Sequence, residues 1–263
     1  MKFELLFLST VDPSLGRLDY SSLSHQTLME MVIEGITNKE EICGDANEPK
    51  DIEKWKGVKI EDAEVVEINW DQRDLRGSLH LEWLPPSVRK CMVNNNKLTG
   101  TLDLASLPIP MKELHLENNA FTGPIDLERL PEKMKYLNVS ENQLSGSLKL
   151  DSLPDTLTDF YARVNKFSGS VDLTRLPAAL VCLSLSKNQL SGSVVLTQLP
   201  VKFEYLYLTG NQLSGSLDLT RLPSRIAELY LENNSFSGTV DLSKLPLGIE
   251  DLELSGNALS KKV

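Results

Sequence analysis

An asparagine returns every 23 residues along most of this chain, at Asn96, Asn119, Asn142, Asn165, Asn188, Asn211, Asn234 and Asn257. A fixed period of this kind confines a chain to a stack of similar coils, because one unit cannot bury its apolar side alone and closes its core only against its neighbours. One period earlier the place is taken by Arg73, with Val65, Ile68, Trp70, Leu75 and Gly77 at the matching apolar and glycine positions, so about nine units are expected.

Each unit repeats one frame, shown cleanly by Leu206, Leu208, Asn211, Leu213, Ser214 and Gly215, followed by Leu217, Asp218, Leu219, Leu222 and Pro223. Alternation across Leu206-Tyr207-Leu208 has the strand period of two, which sends the leucines inward and the tyrosine to the outer face of a parallel sheet. The asparagine stands where the strand must turn, and its amide can satisfy the backbone groups left open by the bend, so an interior asparagine ladder is expected. Gly100, Gly123, Gly146 and their successors fall at one point of the turn, which explains them as architecture and removes any reason to read a phosphate loop. Asp103, Asp126, Asp172, Asp218 and Asp241 form a convex column that suits capping of short 3₁₀ turns, and Lys149 and Val195 interrupt it, which argues against calcium. The Leu-Pro pairs end each convex segment.

On these residues the chain resembles the leucine-rich-repeat family over residues 65–259, and its Leu-Ser-Gly-Ser-Leu element is similar to the plant-type subclass also found in protist repeat proteins. The resemblance implies an α/β class fold, mostly β with 3₁₀ or turn segments on the convex side. It implies a right-handed solenoid or horseshoe with a helical amino-terminal cap, divided as residues 1–64 and 65–263. The stretch from Cys43 to Ile60, with Trp55, Gly57 and Val58, resembles the cap of plant-type repeat proteins, in which a second cysteine stands where this chain has Ile60.

Ahead of the repeats, Tyr20 to Ile36 reads as a helix with Leu23, Leu28, Met31, Val32 and Ile36 on one stripe and Ser21, Ser22 or Ser24 as its cap, followed by a polar connector over 37–54. At the other end no capping segment follows Asn257, so Leu252, Leu254 and Leu259 are expected to be partly exposed and covered by a partner subunit.

A composition 41% hydrophobic supports a continuous core, and a net charge of −10 argues against nucleic acid or an anionic membrane as a general partner. The apolar run at Leu5, Leu6, Phe7 and Leu8 is too short for a secretory core, and no stretch of about 20 apolar residues could span a membrane. Of three cysteines, Cys91 and Cys182 fall four coils apart, about 20 Å at strand spacing, beyond disulfide reach. Without a cap disulfide the expected setting is intracellular, cytoplasmic or organellar, and the sequons at Asn138 and Asn233 carry little weight.

Positions four and six before each asparagine should face the concave surface, running from Lys90 and Met92 to Asp251 and Glu253. Five of the chain's six tyrosines, Tyr136, Tyr161, Tyr205, Tyr207 and Tyr230, lie there, where the coil itself demands no aromatic residue. With His115, Arg163, Glu228, Glu232 and Glu253 they form the candidate partner-binding set, suited to a segment with basic residues flanking an apolar anchor. β-propensity and solubility would place the same residues on exposed strands without any ligand. His25, His80 and His115 are scattered over cap, convex and concave regions, the cysteines lack paired metal spacing, and no nucleotide motif precedes a helix, so no catalysis, cofactor or small-molecule substrate is expected. The expected function is a non-catalytic scaffold or accessory subunit that binds protein through the concave sheet and the open carboxy end. The alternative is a receptor-like module that recognises an external ligand.

Overall fold

A computed structural model describes residues 23–261. Helix α1 spans His25–Val32, shorter than the predicted run, and the proposed caps Ser21 and Ser22 lie outside the described residues. Ser24 caps it, its hydroxyl accepting from the Thr27 N–H at 3.1 Å. Leu28, Met29, Val32, Ile33 and Ile36 are buried against the first coils, while Met31, assigned to the buried stripe by periodicity, is only half-buried.

The predicted polar connector is ordered. It holds a short helix α2, Glu40–Cys43, and a 3₁₀ turn, Ile52–Lys54. Ile42, Cys43 and Trp55 are buried there, the Trp55 indole N–H donating to the Lys50 carbonyl at 2.7 Å. Two buried side chains within the connector, Ile42 and Cys43, and Trp55 just after it are invisible to a periodicity argument, yet each anchors the segment.

Val58–Glu61 turns back through Asp62 and Ala63, both at positive φ, and pairs antiparallel with Glu64–Asn69. From there nine strands, ending at Asp251–Glu253, run parallel in one sheet and enclose about eight turns of a mostly β solenoid. The register is the sequence period itself, with Leu206 paired to Leu183 on one side and Leu229 on the other. The Leu-Ser-Gly elements, from Arg76–Ser78 to Ala258–Lys261, form a second sheet of nine short strands. Between the two sheets lies one continuous core in which Leu114, Leu137, Phe160, Leu183, Leu206 and Leu229 are wholly buried. Burial of each such side chain contributes about 1.5–3 kcal/mol.

The asparagine side chains knit consecutive coils. Asn234 Nδ2 donates to the Leu208 carbonyl of the preceding coil and to Leu231 of its own, while its Oδ1 accepts from the Leu213 N–H, all at 3.0–3.1 Å. The same pattern runs from Asn96, which serves Trp70 and Leu75, to Asn257, which serves Leu231 and Phe236. The residue before the asparagine is left-handed in coil after coil, including Val164 at φ 54°.

On the convex side the aspartates act differently from the 3₁₀ caps expected of them. Asp103, Asp126, Asp172, Asp218 and Asp241 each accept from the backbone N–H two residues on, which fastens an Asx turn. The two convex 3₁₀ turns, Leu81–Trp83 and Leu150–Ser152, fall in coils where His80 and Lys149 replace the aspartate. Leu252, Leu254 and Leu259 in the last described coil are half-buried and pack against the core.

Candidate concave binding face

The ten-stranded sheet presents its outer columns as one ridged surface, because a 23-residue register stacks residues of the same repeat position. At strand spacing, successive rungs are about 4.8 Å apart, close enough for aromatic rings on neighbouring coils to touch.

They do so in two groups. His115 stacks on Tyr136 with ring centroids 4.4 Å apart, and Tyr136 leans on Tyr161 at 5.5 Å. Two coils beyond, Tyr207 meets Tyr230 edge-on at 5.1 Å. The phenols are held by carboxylates: Tyr207 donates to Glu228 and Tyr230 to Asp251, each at 2.8 Å, and Tyr161 donates to Asp159 at 3.3 Å. Burial, followed by the bond to Glu228, pushes the Tyr207 phenol well above its usual value, and the bond to Asp251 pushes Tyr230 up to about 12. Tyr205 pairs in register with Glu228.

Between the two groups lies a coil of small residues. Cys182 and Ser184 occupy outward positions yet are each only 3% exposed, since larger side chains on the adjoining coils cover them. The result is a notch flanked by Tyr161 on one side and by Tyr205 and Tyr207 on the other. Burial raises the Cys182 thiol to about 12, so it is a protonated apolar floor rather than a nucleophile.

The remaining candidates divide. Arg163 is paired with Glu141 beside the face. Glu232 accepts from the Thr209 hydroxyl at 2.8 Å through one oxygen, and its second oxygen is buried without a partner among the described residues. Glu253 is exposed in the last strand, in register with Tyr230. His115 is held below its usual value, first by burial. Glu117 is raised by burial, and with Ser140 in the next coil it carries a buried polar atom that has no partner among the described residues.

A charged column runs beside positions four and six. The residue seven before each asparagine edges the same sheet, its backbone bonded rung to rung, and reads Arg89, Lys112 and Lys135, then Thr158 and Val181, then Glu204, Ala227 and Glu250. Arg89, Lys90 and Lys112 line one shallow depression with Glu113, whose carboxyl is held low by Lys90 at 2.7 Å. The signal for it in the sequence is the 23-residue recurrence at position seven, one residue beyond the outward positions.

No protein-family model matches the chain, and no curated protein matches it. Solved structures do. A PEPR1–AtPEP1 complex aligns at a TM-score of 0.73 and 23% identity over 91% of this chain and 36% of that one. Pollen Receptor Kinase 3 aligns at 0.55 and 25% over 72% of this chain and 95% of that one. The ectodomain of the Arabidopsis receptor kinase HAESA, solved with an extended IDA peptide hormone, aligns at 0.51 and 21% over 89% and 49%. This chain thus spans about a third of the first and half of the last.

The intracellular expectation does not stand, since the solved structures that share this fold include the ectodomain of a receptor kinase. The argument from the missing cap cysteine fails for a physical reason. Cys43 is buried, its thiol donating to the Lys39 and Asp45 carbonyls at 3.2 Å, and it belongs with Met29, Ile33, Ile42, Trp55 and Trp70 to one continuous buried core, so the cap is closed without a disulfide. Among the described residues no helix is long and apolar enough to cross a membrane. The architecture is a leucine-rich-repeat solenoid, a fold shared with ectodomains of plant receptors.

Proposed function

We propose that this chain is a non-catalytic, surface or secreted recognition module that holds an extended peptide segment along its concave sheet. The observation that carries the reading is the pair of aromatic groups flanking the Cys182–Ser184 notch, with phenols fixed by Asp159, Glu228 and Asp251. Tyrosines held in place lose little conformational freedom on binding and offer both ring faces and polar edges, which is what makes them frequent anchors at interfaces. The HAESA structure, which shares the fold, was solved with a peptide hormone ligand, and that supports the peptide class over the scaffold reading. In this reading residues 1–64 serve as the cap, residues 65–263 present the face, and the binding set is Tyr136, Tyr161, Tyr205, Tyr207 and Tyr230 with His115, Arg163, Glu228, Glu232 and Glu253.

The test replaces Tyr205, Tyr207 and Tyr230 together by serine and repeats recovery of the ligand from extracellular fractions of the native source. Loss of a ligand that the unaltered chain retains is expected. Equal recovery by both chains would remove the concave face from the reading.

A further inference from the structure

The charge on this face changes sign along the solenoid. At the amino-terminal end the edge column carries Arg89, Lys112 and Lys135, while the adjacent column alternates Glu67, Lys90 and Glu113, so the excess of positive charge there lies on the edge column. At the carboxy-terminal end the same columns carry Glu204, Glu228, Glu250 and Asp251, with Glu253 in the next column over. Internal pairing does not cancel the pattern. Arg89 is engaged by Glu61 and Lys90 by Glu113, but Lys112 and Lys135 are exposed and form no ion pair among the described residues. At the acidic end Glu204 has one loose contact, 3.8 Å from Arg225, while Glu228 and Asp251 accept only phenols.

A segregated arrangement of this kind favours a ligand whose own charges are segregated the other way, because matched ends attract and a reversed or mixed ligand meets like charge. We infer that the concave face takes an extended peptide of opposite charge at its two ends, the acidic end against Lys112 and Lys135 and the basic end against Glu228, Glu250 and Asp251. The inference rests on the peptide-recognition reading above and adds the ligand's chemistry and orientation. The spacing sets a length. Lys112 and Glu250 are six coils apart in sequence period, about 29 Å at strand spacing, which an extended peptide covers with about nine residues. An apolar side chain near the middle of such a peptide would lie over the notch at Cys182 and Ser184.

The test uses the full chain and blocked twelve-residue peptides, titrated calorimetrically at low salt. The bipolar peptide carries three aspartates, a Gly/Ser spacer with one central leucine, and three lysines. Its reverse sequence and a scrambled peptide of the same composition complete the set. One of the two bipolar orientations should bind at least tenfold more tightly than the scrambled peptide, and the preference should fade in 1 M salt. The exposed double reversal Lys112→Glu with Lys135→Glu should weaken that peptide at least tenfold and strengthen one with lysines at both ends. Failure of both bipolar peptides to bind, equal binding of the scrambled one, or an unchanged ranking after charge reversal overturns the inference. If the tyrosine variant loses its native ligand while bipolar and scrambled peptides bind alike, peptide recognition stands and only the bipolar assignment falls.

Discussion

Tyr207 meets Tyr230 edge-on, with ring planes 73° apart, and each phenol donates to a carboxylate of the coil that follows it. Ring and hydroxyl are thus fixed by different neighbours, and both neighbours are set by the parallel register. The arrangement makes the pair a rigid element of the face.

This pair should titrate late. Both phenols lie above the usual value of about 10, Tyr230 at about 12 with the bond to Asp251 as the leading cause. A raised folded-state value means the protonated phenol is favoured by folding. The contribution is complete below about pH 10 and is lost as pH rises through about 12. Ultraviolet difference titration should find a late-ionising fraction that shrinks in Tyr230→Phe, whereas normal ionisation of every tyrosine in the folded protein contradicts the geometry.

Removal of a ladder amide should be costly in the interior and cheaper at the end. Asn188 serves the Ala162 and Leu185 carbonyls and the Phe167 N–H from a buried position. Asn188→Ala leaves several buried groups unpaired and should destabilise by about 3 kcal/mol in urea unfolding, at roughly 1–3 kcal/mol per orphaned group. Asn257→Ala, in the half-buried last coil, should cost clearly less.

Val164 should be improvable. A β-branched residue at φ 54° is strained, and the same repeat position holds Asn95, Asn118 and Asn233 in other coils. Val164→Asn should stabilise by about 1 kcal/mol, seen as a Tm rise of about 2–4 °C. A lower Tm would show that the valine side chain contributes more than its backbone costs.

The three thiols should be silent until unfolding. Cys43, Cys91 and Cys182 are all buried, and burial lifts the latter two to about 12. Ellman's reagent at pH 8 should find no thiol in the native protein and three in denaturant. Rapid stoichiometric labelling of the native chain would show that the notch floor is open.

The coil was legible because its causes are periodic: Asn211 and Leu206 recur at fixed spacing, and each does the same job wherever it stands. The cap was less so, since Ile42, Cys43 and Trp55 have no period and find their burial only through long-range packing. Localisation is not legible in the cap cysteine, because Cys43 is buried in the folded cap without a bond and so carries no redox signal.

The candidate face divides along the same line. The chain by itself determined which side chains point outward, because strand alternation and the 23-residue register allow no other placement. Only the tertiary structure decided how those side chains use one another. Stacking coils about 4.8 Å apart brought Tyr207 to Tyr230, hid Cys182 and Ser184 beneath their neighbours, and aligned Lys112 and Lys135 with Glu204 and Glu250 on one edge. Contacts between coils depend on side-chain size and reach across a 23-residue gap, and no local pattern encodes them.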